Sequence, residues 1–129
     1  MTSADPYIAV VDDEVSVRTA LRRLLKLADY EVATFGSGEE FLASLAQRRP
    51  DCVILDVHMP GLGGLDVQAR LRAGQMQVPA LFITASDDLA LIQMVLSAGG
   101  VRLLRKPFSN DELLGAVGVA LRRDRHGAL

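Results

Sequence analysis

Two stretches decide the fold: Tyr7-Ile-Ala-Val-Val-Asp-Asp-Glu14 and Asp51-Cys-Val-Ile-Leu-Asp-Val57. Each is a short apolar run with no helical spacing, and each ends abruptly on carboxylates. A run of four or five apolar residues bounded this way reads as a strand buried on both faces. Such strands belong to parallel sheets, whose two faces are covered by crossover helices.

The segments around them supply those helices. Val17, Leu21, Leu24, Leu25 and Ala28 recur at helical spacing, with Arg18, Arg22 and Arg23 on another face. Residues 31–35 alternate polar and apolar, as a strand does. Ser37 and Glu40 fit a capping box that opens a helix through Phe41, Leu42 and Leu45. The Pro- and Gly-rich stretch 59–64 has to be a loop, and a weaker helix follows near residues 65–71. Residues 79–83 form another apolar strand, ending at Thr84. Leu89, Ile92, Val95 and Leu96 predict a helix that stops at Gly99-Gly100. Residues 101–104 read as a fifth strand, interrupted at Arg102. Ser109 and Glu112 form a second capping box, starting a helix through Leu113, Val117 and Leu121. The expected boundary is a domain over residues 1–122, with 123–129 a frayed tail or the start of a linker. Five strands alternating with five helices predict an α/β fold, a doubly wound parallel sheet.

The polar residues then fall in one place. Asp12 and Asp13 end the first strand, Asp56 the third, Thr84 the fourth and Lys106 the fifth. In open α/β sheets, ligands bind outside the carboxyl ends of the strands at the switch point. The second strand ends in Phe35-Gly36 and delivers no such group, as an outer strand would. The expected strand order is therefore 2-1-3-4-5. Three converging carboxylates repel: at about 5 Å and an effective dielectric of roughly 20, each pair costs about 3 kcal/mol. A cation relieves this, and all-oxygen ligands favour a hard ion, Mg²⁺ or Mn²⁺. Any one of these aspartates alone would read as an ordinary cap or loop residue. Lysine is rare here, with two against twelve arginines. A compact ammonium at position 106, beside Arg105, suits a point contact with a phosphate.

Composition excludes several other functions. The chain of 129 residues suits one domain. Half of it is hydrophobic, which rules out wholesale disorder. A single cysteine, Cys52, allows no intrachain disulfide and no multi-cysteine zinc site; within an apolar strand it reads as a small core residue. Two histidines, His58 and His126, are too few for the usual zinc-hydrolase ligand sets. A net charge of −2 argues against a dedicated nucleic-acid domain. No apolar run approaches the roughly 18 residues of a membrane span, and no basic segment opens a signal peptide. A cytoplasmic location is expected.

Val11-Asp-Asp-Glu14, Leu55-Asp-Val-His-Met-Pro-Gly61 with Gly64, Ile83-Thr-Ala85 and Lys106-Pro-Phe108 occur together in order and spacing. In this the chain resembles a response-regulator receiver domain of two-component signalling, and its first half is most similar to the nitrogen-fixation regulator branch. The resemblance implies a flavodoxin-like fold and a phosphoacceptor switch rather than a conventional enzyme. By it, Asp56 takes a phosphoryl group from a sensor histidine kinase. Asp13, Asp56 and the backbone carbonyl of His58 hold Mg²⁺ directly, with Asp12 acting through water. Lys106, Thr84 and the Ala85 N–H contact the phosphoryl oxygens, and Lys106-Pro107 is a cis bond. It also implies an output domain or effector as partner. One helical stripe cannot hide all of Leu89, Leu91, Ile92, Val95 and Leu96, so either self-association as a homodimer or docking of an output partner, strengthened by phosphorylation, is expected through the face of the fourth helix, fifth strand and fifth helix.

Two positions depart from the family pattern. Leu103 stands where an aromatic residue is common, and Arg102 where an acidic one is. A ring flip coupled to Thr84 is thereby excluded, and Leu103 is expected to add apolar surface to the output face together with Leu89 and Leu91. His58 either flanks an attacking water or is merely solvated. Rival readings fit less well. A haloacid-dehalogenase-type phosphatase wants an aspartate where His58 stands, and a flavin module wants a phosphate-cradling loop where the three acids follow the first strand. A pseudo-receiver, a binding module that never takes phosphate, is disfavoured by the intact Asp56, Thr84 and Lys106 but kept open by Leu103.

Overall fold

A computed structural model describes residues 5–85, 87, 89–97 and 102–126, excepting the side chains of Leu89, Leu91 and residues 123–126. The elements alternate without exception: β1 (Tyr7–Val11), α1 (Val15–Leu27), β2 (Glu31–Phe35), α2 (Gly38–Ser44), β3 (Cys52–Asp56), α3 (Gly64–Ala73), β4 (Ala80–Thr84), α4 (Leu89–Ser97), β5 (Arg102–Arg105) and α5 (Asn110–His126). The five strands form one parallel sheet in the order β2-β1-β3-β4-β5, as predicted.

The period-2 geometry of a strand sorts the core into two layers. Ile8, Val10, Cys52, Ile54, Leu81, Ile83 and Leu104 point to one face, where Leu21 and Leu25 of α1 and Leu113, Ala116, Val117 and Ala120 of α5 cover them. Their alternates Ala9, Val11, Val53, Leu55, Ala80 and Phe82 point to the other, under Phe41 of α2, Val67 and Leu71 of α3 and Val95 of α4. β1, β3 and β4 are buried along their whole length, which is why their sequences are unbroken apolar runs. Cys52 is a fully buried free thiol in the first layer.

Both serines cap the expected helix starts, and the reciprocal box closes at Ser109 and Glu112. The Ser37 hydroxyl accepts from the Glu40 N–H at 3.1 Å, and the Ser109 hydroxyl accepts from the Glu112 N–H at 3.0 Å, with the Glu112 carboxylate returning to the Ser109 N–H. α5 extends through His126, so residues 123–126 continue the helix beyond the boundary read at 122. The predicted helix stop at Gly99-Gly100, the tail side chains including His126, and the exposure expected of Leu89 and Leu91 lie outside the described residues. Leu103 differs from expectation. It is half-buried and packs on the second core layer, because on β5 it pairs with Phe82 and shares that residue's face of the sheet.

Candidate functional site

Register brings the polar strand ends together. Val11 of β1 pairs with Leu55 of β3, so the next residues, Asp12 and Asp56, leave the sheet on neighbouring strands about 4.8 Å apart. Asp56 pairs with Ile83, placing Thr84 one residue further, and Thr84 pairs with Arg105, placing Lys106 just beyond. The Lys106 N–H donates to the Thr84 carbonyl at 2.7 Å, tying the ends of β4 and β5. β1 and β3 flank the topological switch, since the chain runs from β1 outward to β2 and then returns to β3.

The carboxylate oxygens of Asp12, Asp13 and Asp56 lie within 4.8 Å of one another. Asp12 and Asp56 are buried and Asp13 is exposed. The Lys106 ammonium stands 3.0 Å from Asp12 Oδ2, 3.2 Å from Glu14 Oε1 and 3.6 Å from Asp56 Oδ2. One ammonium thus meets three carboxylates, with Asp13 a fourth acid in the group, and the cluster retains negative charge. Such an oxygen-only, under-neutralised donor set suits a hard divalent cation, and the predicted trio Asp12, Asp13 and Asp56 supplies it.

Asp56 is held by the turn that follows it. Its Oδ1 accepts the His58 backbone N–H at 3.2 Å, and the Val57 N–H donates to the Ile83 carbonyl at 2.9 Å. The residue His58 is exposed, and its backbone rather than its imidazole makes this contact with Asp56. Gly61 turns the loop at φ +75°. Gly64 lets α3 start directly under the site: a Cβ there would lie 2.6 Å from the Asp56 carbonyl oxygen. Lys106-Pro107 is cis, as the resemblance implied. Thr84 is buried at the end of β4, and Ala85 follows it at the surface.

Burial raises the Asp56 pKa from 3.8 to about 6, and the nearby Asp12 and Asp13 charges add to the rise. Lys106 and the His58 N–H oppose it without cancelling it. Burial by itself would lower the Lys106 pKa, but the bonds to Asp12 and Glu14 and the charge of Asp56 outweigh it and hold the ammonium above its ordinary value.

Two participants escaped the sequence reading. Glu14 shares the lysine, a contact spanning 92 positions in the chain. Arg18 was read only as part of a polar helix face, yet its Nη1 donates to the Asp12 carbonyl at 2.7 Å. The continuous Asp-Asp-Glu run was the one signal for Glu14; nothing local marked Arg18. Asp12 also accepts the Glu14 N–H at 2.9 Å, so it serves the start of α1 and the cluster at once. Among the described residues, no helix is long and apolar enough to cross a membrane.

A parallel sheet in this order, with acids and a lysine at its switch-point edge, is the arrangement of a receiver-type fold. The chain belongs to the response regulator receiver domain family, whose profile matches residues 8–118. It is 39% identical over 123 residues to nodulation protein W of Bradyrhizobium diazoefficiens, a match covering 95% of this chain and 54% of that protein. Full-length FixJ from B. japonicum superposes with a TM-score of 0.89 at 33% identity, over 98% of this chain and 62% of that one. Vibrio cholerae chemotaxis protein CheY4 superposes with a TM-score of 0.83 at 32% identity, over 92% of this chain and 100% of that one. The likeness to the nitrogen-fixation branch is thus met by nodulation protein W. The chain spans about half the length of the curated relatives it matches.

Proposed function

We propose that this domain is the phosphoryl-accepting switch of a two-component regulator, with Asp56 as the acceptor. The observation that carries the reading is the buried Asp56 carboxylate, 3.6 Å from the Lys106 ammonium and grouped with Asp12 and Asp13 at the switch-point edge. The donor is the phosphohistidine of a sensor histidine kinase. The N–P bond of the donor breaks, an O–P bond to Asp56 forms, and the imidazole leaves with a proton from solvent. Asp56 attacks as the carboxylate, and with a pKa of about 6 it is mostly ionised at neutral pH.

Phosphoryl transfer needs in-line positioning and neutralisation of charge on the equatorial oxygens. Lys106 supplies one positive charge, and the Thr84 hydroxyl and Ala85 N–H are the donors for the remaining oxygens. Asp13, Asp56 and the His58 carbonyl would hold Mg²⁺, or Mn²⁺ in its place, with Asp12 acting through water. The ion, when bound, offsets carboxylate and phosphoryl charge. Asp12 holds Lys106 in place, and Glu14 restrains the same ammonium from the solvent side.

Phosphorylation replaces the single charge of the Asp56 carboxylate with a phosphoryl group carrying about two, a net gain of about one negative charge beside Thr84, and draws the following loop toward it. The output then passes through α4, β5 and α5 to an output domain, an effector or a second copy. On α4, Met94 and Leu96 are exposed on either side of buried Val95, and apolar side chains left exposed commonly mark partner sites. The domain is read as acting in the cytoplasm, without itself touching membrane or nucleic acid.

Mass measurement after incubation with acetyl phosphate and Mg²⁺ tests the acceptor. The wild type should gain about one phosphoryl mass, removable by hydroxylamine, and Asp56→Asn should gain none. Normal labelling of Asp56→Asn would overturn the assignment.

A further inference from the structure

The carbonyl of Asp12 sits where β1 stops and the sheet can no longer supply partners. The Asp12 N–H still reaches the Phe35 carbonyl of β2, at 3.1 Å. Its own C=O has left the ladder, and a backbone carbonyl in a buried residue needs a donor. Arg18 provides it, through Nη1 at 2.7 Å, a short, charge-assisted bond.

Little else in its surroundings explains this placement. Among the described residues no carboxylate lies within ion-pair distance of Arg18. Instead the side chain shares a groove of about 320 Å³ with Arg22, Arg23 and Lys26, and like charges at this helical spacing repel. Gly36 makes room for the guanidinium: a Cβ at that position would lie 3.3 Å from Nη1. The arginine therefore reaches across the top of β1, away from its basic neighbours and toward the acidic end of the strand, and closes on a single backbone atom.

We propose that Arg18 is a positioning residue of the phosphoryl-accepting site, orienting the Asp12–Asp13 peptide so that Asp13 faces the cluster. This rests on the function proposed above. The peptide group is planar, so fixing the Asp12 oxygen fixes the plane that carries the Asp13 N–H. Asp12 is held besides by Lys106 and by the Glu14 N–H. Asp13 is exposed, and its direction depends on the peptide that Arg18 secures.

The sign of the effect separates this role from a purely electrostatic one. A cation beside an acidic cluster repels a second cation, so deleting its charge alone would tighten Mg²⁺ binding. Deleting a positioning contact weakens it. Arg18→Met keeps the length and packing of the stem and removes the donor; Arg18→Lys keeps a charged donor of nearly the same reach.

Mg²⁺ affinity is to be measured by calorimetry on the metal alone, beside the urea midpoint and the rate of labelling by acetyl phosphate. Arg18→Met should weaken Mg²⁺ about three- to tenfold, the worth of one hydrogen bond of ordinary net strength. Arg18→Lys should restore affinity to within about twofold of the wild type. Unchanged or tighter binding by Arg18→Met overturns the proposal, as does an Arg18→Lys protein as weak as Arg18→Met. Because metal affinity is read without phosphorylation, a wild type that binds Mg²⁺ but takes no phosphoryl group would refute the acceptor reading alone.

Discussion

Asp56 should destabilise the metal-free protein at neutral pH. Its folded-state pKa of about 6 lies above the ordinary 3.8, so between these values the folded state binds the proton that the unfolded state has lost. The protonated carboxyl contributes stability that is fully present below about pH 4 and is lost as pH rises through about 6. Above that, the ionised group carries an opposing free energy of at most about 3 kcal/mol. Asp13 and Glu14 open the cluster to water on one side, and screening brings the expected figure to about 1–2 kcal/mol. Asp56→Asn removes the charge and keeps an oxygen to accept the His58 N–H. The attraction to Lys106 that it forfeits already counts against the rise in pKa. In chelator at pH 7.5, Asp56→Asn should therefore be the more stable protein by about 1–2 kcal/mol, raising Tm by about 4–8 °C. The advantage should shrink as pH falls from 6 to 4, and saturating Mg²⁺ should reverse it by stabilising the wild type. Urea titrations of both proteins at several pH values, with and without Mg²⁺, measure this directly. A variant less stable than the wild type in chelator at pH 7.5 would show that the cluster is neutralised by some arrangement other than the one described.

Further outcomes follow from the same geometry. Asp13→Ala should weaken Mg²⁺ strongly and Asp12→Ala less, by calorimetry; equal, negligible losses would place the metal elsewhere. Lys106→Met removes the ammonium 3.6 Å from Asp56 and should push the Asp56 pKa above about 6; an unchanged or lower value by carboxyl-resolved NMR titration would contradict its role there. Gly64→Ala forces a Cβ within 2.6 Å of the Asp56 carbonyl oxygen and should cost about 2 kcal/mol or more in urea unfolding, because the clashing atom is backbone. Leu96→Glu should abolish any self-association induced by beryllofluoride in sedimentation, and a monomer in every condition would remove the dimer from the proposed output.

Much of the fold is legible in local sequence, because its signals are local. Apolar runs such as Ile54 and its neighbours can only be strands buried on both faces, and helical spacing around Leu21 and Leu25 marks the layer that covers them. The strand-end positions of Asp12, Asp13, Asp56 and Lys106 were likewise readable, since a parallel sheet delivers all its carboxyl ends to one edge. Element boundaries shifted by a few residues, most visibly at α5, which runs on to His126, the residue directly before Gly127.

What the sequence alone could not decide depends on contacts between distant segments. The side of the sheet that Leu103 takes follows from the pairing register of β5, and it turned an expected surface residue into a half-buried one. The sharing of Lys106 among Asp12, Glu14 and Asp56 follows from distances across three strand ends. The elevated pKa of Asp56 requires burial, which no single segment produces. Arg18 is the clearest case: sequence periodicity places it on a polar helix face, and only the tertiary fold brings the end of β1, with its unpaired carbonyl, within its reach.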